Sequence, residues 1–146
     1  MSSVSTRKKP SSSVASKYVK YFDNPITVLS AAKKGLKAES VFDFITLSGI
    51  SSARIETVLN RSLKTFQNYR ESETPLDPTT SEKLLLLFAL YHRGSVVFGN
   101  SDELAKWMSE PSFGLGNQLP LDLLDTITGI RLVDDELARI EYGDLA

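Results

Sequence analysis

Apolar residues recur along most of this chain at intervals of three and four positions, which is the spacing of one face of an α-helix. A clear stripe lies near the C-terminal end and consists of Ile130, Val133, Leu137 and Ile140. Residues 84–91 are apolar on every side, so we expect them to form the centre of a long buried helix. The pattern therefore predicts an all-α fold.

Capping residues mark where the helices begin and end. Asn24 followed by Pro25 predicts an N-cap and a first helical residue, and Gly35 predicts the end of that helix. Asp77 followed by Pro78 predicts the start of the long helix in the same way. The apolar residues of the first helix, which we expect to form one helical stripe, are Ile26, Val28, Leu29 and Ala32. Further helices are predicted to begin near Ala38, Ser51, Ser62, Ser101, Pro120 and Thr128, and the last to end at Gly143.

Two short predicted helices between residues 51 and 72 are joined by the tight turn Asn60-Arg61-Ser62. This arrangement is typical of a helix-turn-helix, in which the second helix reads DNA. It is also compatible with an ordinary helical hairpin that has a solvated face. The polar face of the second helix, our candidate for base reading, consists of Lys64, Thr65, Gln67, Asn68 and Arg70. The candidates for phosphate contacts are Arg54 and Arg61.

The stretch from Phe98 to Gly143 contains the only Trp of the chain, a turn with Pro111 and two Gly residues, and a short helix led by Pro120. Such a stretch predicts a compact, rigid surface that a partner binds. No catalytic constellation occurs in it. We expect the Gly/Pro turn and the tail after Ile140 to be the working surface.

The length of 146 residues suits one domain or two small ones that share a core. The absence of Cys excludes disulfides, Cys-ligated zinc and thiol catalysis. The longest apolar run, residues 84–91, is far shorter than the roughly 20 residues of a membrane-spanning helix. Residues 1–17 are Ser-rich and basic and lack the apolar region of a secretory signal. We therefore expect a mobile N-terminal arm and a cytoplasmic protein.

Charge is distributed unevenly along the chain. Residues 1–70 carry twelve Lys/Arg and four Asp/Glu, whereas residues 71–146 carry five and fourteen. A basic half suits phosphate backbones, and an acidic half is repelled by them, so the chain suggests two different partners. The alternative is that the two halves attract each other, within one chain or in a dimer.

The sequence offers no recognisable catalytic motif, and we expect neither an enzyme nor a cofactor. His92 is the only His, and we interpret it as structural. Asp134, Asp135, Glu136 and Glu141 form a carboxylate cluster on the last helix. Carboxylates suit a divalent metal or acid/base chemistry, but a solvated helix face explains this cluster better. We therefore predict no catalytic and no metal-binding residues.

Residues from about Gly35 to Gly143 resemble the Xre/MbcA/ParS-type antitoxins of bacterial type II toxin–antitoxin pairs. The C-terminal residues that carry the resemblance are Trp107, Pro111, Leu115-Gly116, Pro120-Leu121-Asp122-Leu123-Leu124, Thr128-Gly129, Val133, Leu137, Ile140 and Gly143. Asp77-Pro78 before a Leu-rich helix is similar to the linker helix of the family. The chain departs from the family pattern at Asn60, which is usually Gly, at Arg61, which is usually apolar, and at Glu56, which is usually small.

The resemblance implies an Xre-like helix-turn-helix domain followed by a small helical domain that binds a toxin and dimerises. The implied division is a basic, flexible arm over residues 1–23, a helix-turn-helix and linker-helix domain over 24–98, and a toxin-binding domain over 99–146. The toxins of this family are most often RES-domain proteins that degrade NAD. The antitoxin, alone or with its toxin, often represses its own operon.

A cognate toxin, operator DNA and a second copy of the chain are therefore the expected partners, and no membrane or small-molecule substrate is expected. We predict that the C-terminal tail lies at the mouth of the toxin's active site. The predicted toxin-binding residues are Arg139, Glu141, Tyr142, Gly143, Asp144, Leu145 and Ala146. A frayed tail without a partner is the alternative for this segment. For the whole protein, the alternatives are a stand-alone helix-turn-helix transcriptional regulator and a small helical adaptor that binds only protein.

Overall fold

The computed structural model describes residues 16–21 and 24–143. Those residues form helices joined by turns, with a single isolated β-bridge between Ser112 and Gln118 and no longer strand. The all-α prediction is thus confirmed. The α-helices after residue 24 are α1 (Pro25–Lys34), α2 (Glu39–Ser48), α3 (Ser52–Leu59), α4 (Leu63–Ser72), α5 (Pro78–Phe98), α6 (Ser101–Met108) and α7 (Ile127–Tyr142). Two 3₁₀ turns, Phe113–Leu115 and Pro120–Leu123, lie between α6 and α7.

The chain divides into two compact units, Met1–Phe88 and Ala89–Ala146. The division falls inside α5, earlier in the chain than the boundary after residue 98 that the sequence suggested. The division into residues 1–23, 24–98 and 99–146 stays a prediction. Within the described residues, no helix has both the length and the apolar character that crossing a bilayer requires.

The core of the first unit is built on the first half of α5. Leu84 and Phe88 are buried there, together with Phe44 of α2 and Phe66 of α4. The rings of Phe44 and Phe88 meet edge to face, with their centroids 5.3 Å apart, which is a favoured aromatic geometry. Helix α2 is thereby packed against α5.

The prediction that four apolar residues of α1 form one stripe is wrong. Ala32 is buried, but Ile26 and Leu29 are 77% and 52% exposed. The reason is helical geometry, since at 3.6 residues per turn Val28 and Ala32 share a face while Ile26 points nearly the opposite way. The four residues therefore form no single stripe.

Part of the predicted arm packs onto the first unit. Residues 16–19 are helical, and the buried ring of Tyr18 stacks on Phe88 with centroids 3.9 Å apart. The Tyr18 hydroxyl donates to Asp43 Oδ2 at 2.6 Å, and Lys17 Nζ lies 2.9 Å from the same oxygen. Burial, and then the Asp43 carboxylate, raise the pKa of Tyr18. Residues 1–15, 22 and 23 of the predicted arm lie outside the described residues.

The second unit has its own core. Leu104 and Met108 of α6 are buried, as are Ile130, Val133 and Leu137 of α7. Trp107 of α6 is half-buried and packs beside Phe98, with ring centroids 5.8 Å apart. The predicted α7 stripe is therefore confirmed at its three buried positions, and Ile140 is half-buried.

Side-chain caps fix where most helices begin. Asn24, Ser51 and Ser62 each accept a hydrogen bond from the backbone N–H three residues later, as the sequence predicted. Two predicted caps are wrong by one or two positions. Asn100, rather than Ser101, accepts from Glu103 N at 2.8 Å, and Thr126, rather than Thr128, accepts from Gly129 N at 2.9 Å.

Candidate functional site

The turn between α3 and α4 has the backbone of a helix-turn-helix. Asn60 ends α3 in the left-handed conformation, with φ 57°, and Ser62 then caps α4. Glu56 strengthens this turn, because its Oε2 accepts a hydrogen bond from Leu63 N at 2.7 Å. The backbone N–H groups at a helix start have no partner within the helix, so a carboxylate there stabilises the start of α4. The departure from the family pattern at Glu56 therefore contributes to the turn.

The outer face of α4 carries most of the predicted base-reading residues. Phe66 anchors the helix in the core, and this leaves Lys64, Gln67 and Asn68 exposed. Thr65 is half-buried, and its Oγ1 lies 3.0 Å from Ser62 Oγ, within hydrogen-bond range. The structure thus brings these residues onto one helix, and their role in DNA binding stays a prediction.

Arg70 is held differently from the other residues of this face. Its guanidinium lies over the ring of Phe42, 4.1 Å from the centroid, and its Nη1 lies 3.6 Å from Glu39 Oε1. Both contacts are made to α2, so Arg70 fastens the end of α4 to its neighbour. We therefore place Arg70 at the edge of the candidate DNA-binding face.

The two predicted phosphate contacts differ in their surroundings. Arg54 is half-buried in the first turns of α3, whereas Arg61 is exposed and its Nη2 lies 3.4 Å from Asp77 Oδ1. Partial burial raises the pKa of Asp77, but hydrogen bonds from Thr80 and the charge of Arg61 outweigh it and lower the pKa. Arg61 therefore faces an ionised carboxylate at the start of α5.

Four of the seven predicted toxin-binding residues belong to the described part of the chain, and Asp144, Leu145 and Ala146 lie outside it. Tyr142 is 68% exposed and Gly143 is exposed. Arg139 extends into solvent while its guanidinium pairs with Glu136. Glu141 is bonded to Arg93. Tyr142 and Gly143 are therefore the predicted toxin-binding residues that are exposed and without such a bond at the C-terminal end of α7.

Arg93, on the last turns of α5, fastens α7 at two points. Its Nε donates to Asp134 Oδ1 at 2.8 Å, and its Nη1 donates to Glu141 Oε1 at 3.2 Å. Partial burial lowers the pKa of Arg93, but the hydrogen bonds and charges of the two carboxylates more than offset it and raise the pKa. These acidic residues are therefore parts of an ion-pair network and do not simply form a solvated face.

The remaining carboxylates of α7 do not form a metal centre with their neighbours. Among residues 16–21 and 24–143, no three His, Asp or Glu side chains come together in a way that would hold a metal ion. Glu136 is 8% exposed and is buried against Gly114. Asp135 is exposed.

The turn from Ser112 to Gln118 presents a residue that the sequence did not single out. Phe113 is 89% exposed, although its neighbours Ser112 and Leu115 are buried. The bridge from Ser112 to Gln118 closes the turn, and Gly116 and Asn117 allow the closure with φ 68° and 62°. A short apolar run within a Gly/Pro turn does not reveal which of its side chains faces inward, so sequence reasoning missed Phe113.

These elements define a protein with a helix-turn-helix unit and a second small helical unit. Comparison with known families then identifies both parts. Residues 27–89 match the "antitoxin Xre-like helix-turn-helix domain", and residues 94–143 match the "antitoxin Xre/MbcA/ParS C-terminal toxin-binding domain". The two matches together cover most of the chain, which belongs to the Xre/MbcA/ParS-type antitoxins.

Two curated relatives carry compatible names. The chain is 28% identical to the "Prs ADP-ribosylating antitoxin" of Sphingobium sp. (strain YBL2), over 86% of this chain and 85% of the relative. It is 26% identical to "Antitoxin Xre" of Yersinia enterocolitica serotype O:8 / biotype 1B, over 80% of this chain and 79% of the relative. Both similarities extend through most of the two proteins compared.

Proposed function

We propose that this antitoxin neutralises one cognate toxin by covering the toxin's active site with its second unit, and that it represses its own operon through the helix-turn-helix. The match of residues 94–143 to a toxin-binding domain is the observation that carries the proposal. Neutralisation by occlusion needs no chemistry from the antitoxin. We accordingly propose a binding protein and not an enzyme.

The C-terminal end of α7 supports the part of the proposal that concerns the active site. Tyr142 is exposed, and Arg93 holds the preceding Glu141, so the helix end is fixed where it presents the tail. Beyond Tyr142 the tail carries the carboxylate of Asp144, and this negative charge suits an active site that recognises an anionic substrate. We infer that Tyr142 and the residues after it enter the mouth of the toxin's active site.

We infer that the toxin uses NAD and is of the RES type. The name of the Sphingobium relative links that antitoxin to ADP-ribosylation. ADP-ribosylation takes its ADP-ribose from NAD, whose two phosphates are anionic. A toxin pocket for such a substrate is expected to carry basic residues, and the acidic tail described above would face them.

The outer face of α4 supports the proposed repression. Lys64, Gln67 and Asn68 are exposed on the second helix of the helix-turn-helix, where side chains reach base edges in the major groove. Gln and Asn pair with adenine, and Lys pairs with guanine or phosphate. A cytoplasmic homodimer would place two such helices about 34 Å apart on a palindromic operator.

Co-expression with the product of the adjacent open reading frame tests the neutralisation. We expect that product alone to stop growth and the full-length antitoxin to restore it. An antitoxin that ends at Glu141 keeps the carboxylate bonded to Arg93 and lacks only residues 142–146, so we expect it to restore growth poorly. Full rescue by the truncated chain would exclude the tail as the covering element.

The same experiment separates this function from that of a stand-alone transcriptional regulator. A regulator without a toxin would bind operator DNA and leave the growth of toxin-expressing cells unchanged. Failure of the purified chain to retain operator DNA in a gel shift, together with rescue of growth, would instead indicate an antitoxin that binds only protein.

A further inference from the structure

Phe113 is the most exposed large apolar side chain of the second unit, within the part of the chain that the structure describes. At 89% exposure, its ring contributes almost nothing to the core. A large aromatic side chain left in water on a fixed turn is a feature of binding surfaces, where aromatic anchors supply much of the affinity. The turn that carries Phe113 is therefore a candidate binding surface.

Backbone hydrogen bonds close the turn around Phe113. Ser112 N donates to Gln118 O at 3.0 Å, and Asn117 N donates to Ser112 O at 2.8 Å. Leu115 N also donates to Ser112 O, and Gly116 N donates to Phe113 O at 3.1 Å. A turn bonded in this way has little freedom to lose on binding, so an anchor placed on it binds with a smaller entropic cost.

The turn is also fastened to α7. The carboxylate of the buried Glu136 occupies the space that a Cβ atom on Gly114 would take. Gly114 follows Phe113 directly, so this close packing fixes the backbone beside the exposed ring. Phe113 thus projects from a rigid support that includes the last helix.

The charge around the turn indicates the chemistry of the partner. The segment that holds the turn, between Lys106 and Arg131 in the sequence, carries Glu110, Asp122 and Asp125 and no Lys or Arg. The cation that the structure places near the turn, Arg139, is paired with the Glu136 carboxylate that packs on Gly114. DNA would be repelled by this surface, and so would the same surface of a second copy. A protein with an apolar pocket rimmed by basic side chains fits it.

We propose that Phe113 is an apolar anchor for the cognate toxin and inserts into a pocket of the toxin that has a basic rim. The inference rests on the proposed function, since the toxin is taken as the partner of this unit. It adds a second contact, separate in sequence from the tail. The anchor supplies apolar affinity, while the net negative charge of its segment favours a basic partner.

The test measures the affinity of full-length antitoxin variants for the purified product of the adjacent gene by isothermal titration. We expect Phe113→Ala to weaken binding by about 30-fold or more, the loss that defines a binding hot spot. Phe113→Tyr keeps the ring and is expected to stay within about threefold of the wild type. Ile26→Ala removes another largely exposed apolar side chain, 77% exposed, from the first unit and is expected to leave the affinity unchanged.

Two further measurements identify the source of the loss. Because Phe113 is exposed, Phe113→Ala is expected to unfold at the same temperature as the wild type. The factor by which Phe113→Ala weakens the affinity is also expected to be equal in low and high salt, since salt screens the carboxylates and not the apolar contact.

Unchanged affinity of a folded Phe113→Ala variant would overturn the proposal. Weakened self-association with unchanged toxin affinity would overturn it as well, and would assign Phe113 to a dimer contact. Failure of the wild type to bind the gene product at all would refute the proposed function and this inference with it. The Phe113→Ala comparison therefore separates failure of the anchor alone from failure of the whole proposal.

Discussion

At the level of single residues, close backbone packing fixes some identities more firmly than helix propensity does. Gly129 lies in the first turn of α7, where Gly is a poor helix former. A Cβ atom on Gly129 would collide with the carbonyl oxygen of Leu123, in the short helix before α7. The Gly therefore allows the two elements to approach, and this approach positions the turn region against α7.

We predict that Gly129→Ala destabilises the protein, although propensity alone predicts a gain of about 1 kcal/mol. The obstructing atom belongs to the backbone, which moves less readily than the end of a side chain, so we expect a net loss of about 2 kcal/mol. Urea unfolding measures the difference. Thr128→Ala, an exposed neighbouring change without such an obstruction, is the control and should stay within about 0.5 kcal/mol. Equal stability of Gly129→Ala and the wild type would contradict the collision.

Rules that use only neighbouring residues predict some of these single-residue features and miss others. Asn24, Ser51 and Ser62 were predicted as caps, because each cap depends on residues only three positions away. Asn100 and Thr126 were missed where two capping residues lie close together and packing selects between them. The exposure of Phe113 depends on the closed turn as a whole, so no local rule predicts it.

At the level of elements, the decisive contacts join residues far apart in the chain. The helix positions and the helix-turn-helix were predicted from periodicity and turn residues, and the helices were found there with small shifts in their ends. The pairing of Arg93 with Asp134 and Glu141 spans more than forty residues. Hydrophobic periodicity carries no information on such a pairing, and this explains why the α7 carboxylates were interpreted as solvated.

We predict that Arg93→Met loosens the end of α7. The substitution keeps much of the apolar stem but leaves Asp134 and Glu141 without their shared cation, so the last turn of α7 frays. We expect a loss of about 1 kcal/mol in global stability, since the ion pairs are partly exposed. Amide hydrogen exchange of residues 138–142 should accelerate more than that of residues 130–134.

Arg131→Met supplies the matched control for this change, because Arg131 is an exposed Arg of α7 itself. It should leave the exchange pattern of the C-terminal turn unaltered. Equal acceleration in both variants would show that loss of any positive charge loosens α7. Unaltered exchange in Arg93→Met would show that the apolar packing alone holds the helix end.

At the level of the whole molecule, two units with opposite charge belong to one chain. Residues 1–88 carry thirteen Lys/Arg, the exposed Lys64 among them, and eight Asp/Glu, whereas residues 89–146 carry four and ten. Phosphate backbones attract the first unit and are repelled by the second, so DNA binding and toxin binding are expected to use separate surfaces. If so, substitutions should impair either one without the other.

We predict that Lys64→Ala weakens operator binding and leaves neutralisation of the toxin intact. Lys64 is exposed on α4 and would replace counterions at one phosphate, or pair with one guanine, so its loss should reduce the slope of log affinity against log salt by about 1. Lys33→Ala removes the same charge from α1 of the same unit and should change the slope less. Equal losses in the two variants would mean that DNA is attracted by the net charge of the unit and not by the α4 face. Loss of toxin rescue in Lys64→Ala cells would mean that the two functions share a surface, against the charge argument that separates them.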